Sequence, residues 1–207
     1  MSIRFLSAFA ALLLPGALLA QVPDAYQVNY AANLNVGDSV VNLVNAGSND
    51  GFSPTGDICA NVYVYNPNEE PISCCYCRLT PNALRHLSAN NDLRNNPLIA
   101  EPVPNSIVIK LYATVPVNNA CNAAAPGAAA PGLRAWRTTL HAGPLGYTPT
   151  ENAFSPATLS AGELGKLTAV CAFTQQFGTG HGVCNNACAL GGLAAPDAAN
   201  DMLKPGL

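Results

Sequence analysis

Two cysteine clusters are the residues whose types and spacing most directly suggest chemistry. Cys74-Cys75-Tyr76-Cys77 contains a C-x-x-C, and Cys184-Asn185-Asn186-Ala187-Cys188 a C-x-x-x-C. Thiolates at such spacing can close on one tetrahedral metal ion or cycle between thiol and disulfide. A zinc site built from Cys74, Cys77, Cys184 and Cys188 is disfavoured because Cys77 and Cys184 lie far apart along the chain, well beyond the interval of a ribbon or finger. For redox work, Cys77 precedes a helix-start signal at Thr80-Pro81, whose dipole would lower a thiol pKa, but no β-α-β pattern surrounds it.

Other candidate chemistry is thinner. Nucleophilic hydrolysis needs a base, and the chain has three histidines, His86, His141 and His181. None lies in a G-x-S-x-G, H-E-x-x-H or P-loop frame, and each reads as a surface or hydrogen-bonded structural residue. His181, between glycines in Gly178-Thr179-Gly180-His181-Gly182, is the most open of them. Glu69-Glu70 reads as a solvated turn tip, and Asn49, Asp50 and Asp57 lack the D-x-D-x-D-G calcium frame. No catalytic residue and no cofactor is assigned.

The compartment decides how the sulfurs are read. Arg4, an apolar run over 5–14 broken only by Ser7, and Ala17-Leu18-Leu19-Ala20 form a signal-peptide pattern cut after Ala20. The run is too short to span a bilayer, so residues 1–20 are expected to be removed and the mature chain to have no transmembrane segment. Export to an oxidising compartment pairs thiols, so Cys59, Cys74, Cys75, Cys77, Cys121, Cys171, Cys184 and Cys188 are expected to form four structural disulfides. Composition fits this reading: 10 % charged residues, 49 % apolar residues and a net charge of -3 exclude a disordered chain and argue against nucleic acid as partner. One disulfide-rich domain is expected over 21–193, with a loose tail over 194–207.

The elements that position these residues follow from periodicity and punctuation. Residues 21–38 read as an extended lead-in, 39–45 as a strand, and 46–57 as a turn-rich loop. The best strand is 58–65, with Ile58, Ala60, Val62 and Val64 on one face and Cys59, Asn61, Tyr63 and Tyr65 on the other. A proline-bounded turn over 66–71 leads back into a strand over 72–79. That hairpin brings Cys77 opposite, or nearly opposite, Cys59, with Cys75 diagonal and Cys74 facing away, so Cys59 is expected to bond Cys77 or Cys75.

Thr80-Pro81 with Leu84 and Leu87 predicts a short helix, 106–115 and 133–141 predict strands, and 118–132 reads as a low-complexity surface loop tied down by Cys121. Ser160 and Glu163 form a capping box for a longer helix whose stripe is Leu164, Leu167, Val170, Cys171 and Thr174, ending at Gly178. Cys171 is expected to bond Cys184 or Cys188. The whole predicts a mainly β, antiparallel β-sandwich-like domain with one short and one longer α-helix, stapled by disulfides, with an α+β layer as the alternative.

The outward row Asn61, Tyr63 and Tyr65 is the candidate binding face, a neutral aromatic surface suited to sugars, peptides or a second copy of the chain. Cover by another sheet or by the capped helix is the more ordinary outcome for such a row.

The segments Asp57-Ile58-Cys59-Ala60-Asn61-Val62-Tyr63-Val64-Tyr65, Ser73-Cys74-Cys75-Tyr76-Cys77 with Thr80-Pro81-Asn82, and the run from Phe154 to Leu164 leading to Cys171, Cys184 and Cys188 resemble a family of uncharacterised exported bacterial proteins with a CC-x-C core and a C-terminal cysteine cluster. The resemblance spans most of the mature chain and implies bacterial export. It leaves the function open, and two readings stand on the residues themselves. The first is a non-catalytic exported protein, secreted or held at the cell envelope, serving as a structural or interaction module through self-association or an envelope or extracellular glycan or protein. The alternative is an exported zinc-binding or thiol-redox protein that uses the C-x-x-C and C-x-x-x-C cysteines.

Overall fold

A computed structural model describes residues 22, 24–98, 102–185 and 188. The expected signal peptide over 1–20 and the expected tail over 194–207 lie outside the described residues. Among the described residues nine strands form two antiparallel sheets. In chain order they are β1 (Tyr26–Ala31), β2 (Ser39–Asn45), β3 (Ile58–Tyr65), β4 (Pro71–Leu79), β5 (Leu84–Ser88), β6 (Ile107–Thr114), β7 (Leu133–Gly143), β8 (Gly146–Ala153) and β9 (Ser155–Pro156), followed by helix α1 (Ala161–Phe177).

The five-stranded sheet runs β4-β3-β6-β1-β9 and the four-stranded sheet β5-β2-β7-β8. Their facing sides enclose the main core. Ile58, Ala60, Val62 and Val64 of β3 and Ile107, Ile109 and Leu111 of β6 meet Val41, Leu43, Leu87 and Leu133 of the other sheet, all buried. A second cluster lies on the far side of the five-stranded sheet, where Tyr26, Cys59, Tyr63, Cys74 and Tyr76 pack against Leu167 and Cys171 of α1. The architecture is therefore the expected antiparallel sandwich, with the longer helix as a third layer over one face.

Local signals set the ends of α1. The Ser160 hydroxyl accepts the Glu163 N–H at 3.1 Å, and Gly178 stops the helix at φ 61, a left-handed conformation that costs glycine little. Leu167, Cys171 and Thr174 form its buried row. The Glu163 carboxylate is directed to Lys110, so the capping box works from the serine side.

The short helix expected from Thr80-Pro81 is instead a turn followed by a strand. Ala83 N–H closes on Thr80 O at 2.9 Å, and Asn82 sits at φ 66, which a right-handed helix cannot include. Leu84–Ser88 then pairs with β2, burying Leu87 and leaving Leu84 outside. The short helical element follows directly as a π turn over Ala89–Leu93, capped by the Ser88 hydroxyl, which accepts Asn91 N–H.

The low-complexity stretch is more integrated than a surface loop. Ala123 and Ala130 are fully buried, Ala130 N–H bonds Ala113 O at 3.0 Å, and Val115 N–H bonds Ala128 O at 2.9 Å. Small side chains let this segment lie close: a Cβ on Gly127 would fall 2.3 Å from Val115 O.

Candidate functional site

The pairing register of the β3–β4 hairpin determines where the sulfurs go. Cys59 faces Arg78, Ala60 faces Cys77, Val62 faces Cys75 and Tyr63 faces Cys74, with the register shifting between Val64 and Tyr65. Directly opposed residues share a sheet face. Cys74 therefore lies with Cys59 and Tyr63 on the helix side, and Cys75 and Cys77 lie between the sheets. This is one residue away from the register that would bring Cys59 to Cys77, and the irregularity at the turn end is the reason.

All four bonds follow. Cys59 bonds Cys121 (Cα–Cα 5.6 Å), Cys74 bonds Cys171 (5.9 Å), Cys75 bonds Cys184 (5.7 Å) and Cys77 bonds Cys188 (4.9 Å). The expected pairs of Cys59 with Cys77 or Cys75, and of Cys171 with Cys184 or Cys188, are corrected by this geometry. Four disulfides as such are present, with no free cysteine among the described residues, and such bonds belong to an oxidising, non-cytoplasmic environment. On a strand, positions 74 and 77 point to opposite faces, so the C-x-x-C does not bring its two sulfurs to one point.

The row Asn61, Tyr63 and Tyr65 shares one face, as its alternation indicates, but that face is largely covered. Asn61 and Tyr63 are buried. Asn61 Nδ2 donates to Tyr112 O at 2.8 Å and to Thr114 Oγ1 at 3.0 Å, while its Oδ1 is buried with no partner among the described residues. The Tyr63 hydroxyl donates to Ala123 O at 2.8 Å, tying β3 to the alanine-rich segment.

Tyr65 alone reaches the surface. Its ring lies under the Lys110 ammonium, 4.8 Å from Nζ to the ring centre, and Lys110 is paired with Glu163 at 2.5 Å. Tyr65, Lys110, Glu163, Lys166, Pro67 and Val170 line a cleft of about 760 Å³ between α1 and the edge of the hairpin. Burial, then the Glu163 carboxylate, pushes the Tyr65 phenol up to about 12. Burial with Glu163 and Tyr65 does the same for Tyr26, and burial foremost raises Tyr63 further still. All three phenols stay protonated at neutral pH, and Tyr65, the one at the surface, offers a hydrogen bond and a ring face rather than a base.

A second surface, not singled out by sequence reasoning, lies on the outer face of the four-stranded sheet. His86, Asn42, Trp136 and Ala153 form one cross-strand row over all four strands. His86 Nδ1 meets Asn42 Oδ1 at 2.7 Å, Asn42 Nδ2 donates to Thr138 Oγ1 at 3.1 Å, and Thr138 donates to Glu151 Oε1 at 3.3 Å. Half-buried Trp136, the chain's one tryptophan, stands within this network. Alternation over 133–141 places Trp136 and Leu140 on a common side. Leu133 and Ala135 take the inward positions, which turns the tryptophan outward. Beside it lies a cavity of about 420 Å³.

The remaining candidates are dispersed. His86 is on β5, and His141 on β7 contacts Thr150 Oγ1 at 3.1 Å. His181 follows α1 and donates its backbone N–H to Thr179. Asp57 pairs with Arg78 at 2.7 Å, Asp50 accepts Phe52 N–H, and Asn49 donates to Thr55 O, so these residues build the 46–57 loop. Among the described residues no three His, Cys, Asp or Glu side chains converge to hold a metal, and no helix is long and apolar enough to cross a membrane.

No family model matches the chain, and no curated protein matches it. Among solved structures, one described as the crystal structure of Thermotoga maritima 1070 is similar over 63% of this chain and 91% of that one, at 12% identity and a TM-score of 0.39. That likeness is too loose to carry an argument about fold or function.

Proposed function

We propose that this is a non-catalytic exported protein, an extracellular or cell-surface structural or interaction module. The observation that supports it best is the distribution of the disulfides. All four start on the β3–β4 hairpin and reach the alanine-rich segment, the helix and the C-terminal return. Each closes a long loop, and the chain-entropy account assigns such loops about 4–5 kcal/mol apiece, without additivity. A scaffold cross-linked this way holds its surface clefts in place without a metal or cofactor. The histidines and carboxylates described above are engaged in turns, ladders and ion pairs rather than gathered into a nucleophile–base set.

The test is a free-thiol count with metal analysis on exported protein, isolated outside the cytosol without reductant. Zero thiols and no bound zinc is the expected result. Four thiolates holding one zinc would favour the exported zinc-binding reading instead, and retention of the protein in the cytoplasm with reduced cysteines would overturn both.

A further inference from the structure

We propose that the cavity beside Trp136 binds a neutral, gluco-configured oligosaccharide chain. The inference rests on the interaction-module reading and names a ligand class for it. The cavity, about 420 Å³, is lined by Asp24, Gln27, Arg134, Trp136, Phe154 and Pro156, among others, and falls within the size of small-ligand sites.

Its floor and its wall differ in chemistry. Half-buried Trp136 and exposed Pro156 supply an aromatic and apolar floor, and Phe154, 5% exposed, lines it from the core. The wall is the ion pair between Arg134 Nη1 and Asp24 Oδ2 at 3.0 Å, both side chains being partly open to solvent. Side by side, they present a guanidinium donor and a carboxylate acceptor whose charges cancel. A ligand that suits both must be uncharged, apolar over one flat face and rich in hydroxyls around its rim. A pyranose with equatorial hydroxyls has that form, its axial C–H groups resting on the indole and its vicinal hydroxyls reaching a carboxylate and a guanidinium. A phosphate, a sulfate or a cationic peptide would meet one partner of the pair and be repelled by the other.

The site is held in advance. Gln27, 4% exposed, donates from Nε2 both to Asp24 O at 2.7 Å and to Leu133 O at 3.0 Å, fixing the Asp24 turn against β7 next to Arg134. Asp24 sits at φ 64, a left-handed conformation that this clamp maintains. Trp136 is fixed in register between Asn42 of β2 and Ala153 of β8. The backbone that carries Asp24 and Arg134 is thus ordered before a ligand arrives, which lowers the cost of binding at a small open site.

Cellohexaose titrated into the full mature protein is the probe, and the only tryptophan reports on this site alone. The expected result is a saturable change in tryptophan emission at roughly millimolar concentration or below. Asp24→Asn and Arg134→Gln should each weaken binding about tenfold with the thermal midpoint little changed, because an exposed ion pair contributes little stability. Trp136→Phe, followed by calorimetry, should weaken it as well. No saturable signal from wild-type protein by either method overturns the proposal. So does binding that is indifferent to Asp24→Asn and Arg134→Gln, or preference for a sulfated oligosaccharide over the neutral one. These outcomes are separable from failure of the broader reading, which the thiol and zinc counts decide on the unliganded protein.

Discussion

Cys74 and Cys75 are adjacent in the chain, yet their sulfurs lie on opposite sides of one sheet, Cys74 bonded to Cys171 on the helix and Cys75 to Cys184 in the space between the sheets. Alternation along a strand makes this unavoidable. The pair therefore ties the middle layer to what lies above and below it, a role that a single cysteine cannot fill.

Removing the two bonds should have different consequences. The double variant Cys74→Ser/Cys171→Ser should cost about 2–4 kcal/mol and loosen α1, raising amide exchange over 161–177. Cys75→Ser/Cys184→Ser should cost a similar amount while leaving helix protection near wild type. Equal loss of helix protection in both variants would contradict the layered arrangement.

The Tyr63 hydroxyl to Ala123 carbonyl bond explains how a segment with no periodic pattern is held against β3. Tyr63→Phe deletes the donor and leaves a carbonyl beside apolar surface, so it should lower stability by about 1–2 kcal/mol in urea unfolding. Proteolysis within 118–132 should become faster, whereas an unchanged rate would mean that the Cys59–Cys121 bond alone fixes the segment.

How much of this was legible in the sequence depends on how local the signal was. Ser160, Glu163 and Gly178 mark both ends of α1 within a few residues, and the strict alternation of 58–65 gives β3 and its two faces. The lead-in hides β1, whose sequence Tyr-Gln-Val-Asn-Tyr-Ala has too few apolar residues to read as a strand but becomes one by pairing with β6 and β9. β8 is likewise invisible: all eight of its residues are exposed, and only β7 holds it in the sheet. The disulfide pattern depended on a single register shift at Tyr65, which no turn residue announces. Trp136 was legible as sharing a side with Leu140, but which side met the core depended on where the whole sheet sits.

Arg78 and Asp57 form a buried ion pair. The guanidinium lies 2.7 Å from the Asp57 carboxylate and also donates to the carbonyl and side chain of Asn119. Asp57 is 1% exposed, so Arg78→Met strands a buried charge and should cost about 3–5 kcal/mol. The double variant Arg78→Met/Asp57→Asn removes the charge too and should recover part of that loss. A double variant whose loss equals or exceeds the sum of the two single losses would show that the pair is not coupled as drawn.

The buried tyrosines predict how the fold responds to alkali. In the unfolded chain a phenol ionises near its ordinary value of 10.0, whereas Tyr26 and Tyr65 are held up to about 12 by burial and by the Glu163 carboxylate, which opposes a phenolate nearby. The protonated form is thus favoured by the native state and the unfolded state loses its proton first. The corresponding stability is fully present below pH 10 and is lost as pH rises from 10 toward 12. Urea midpoints should fall steadily over that interval, with absorbance showing phenol ionisation delayed relative to unfolded protein. Tyr65→Phe, which removes one of these ionisations and keeps the ring under Lys110, should make the decline shallower. A decline of unchanged steepness in that variant would show that Tyr65 is not held in its neutral form by the cleft.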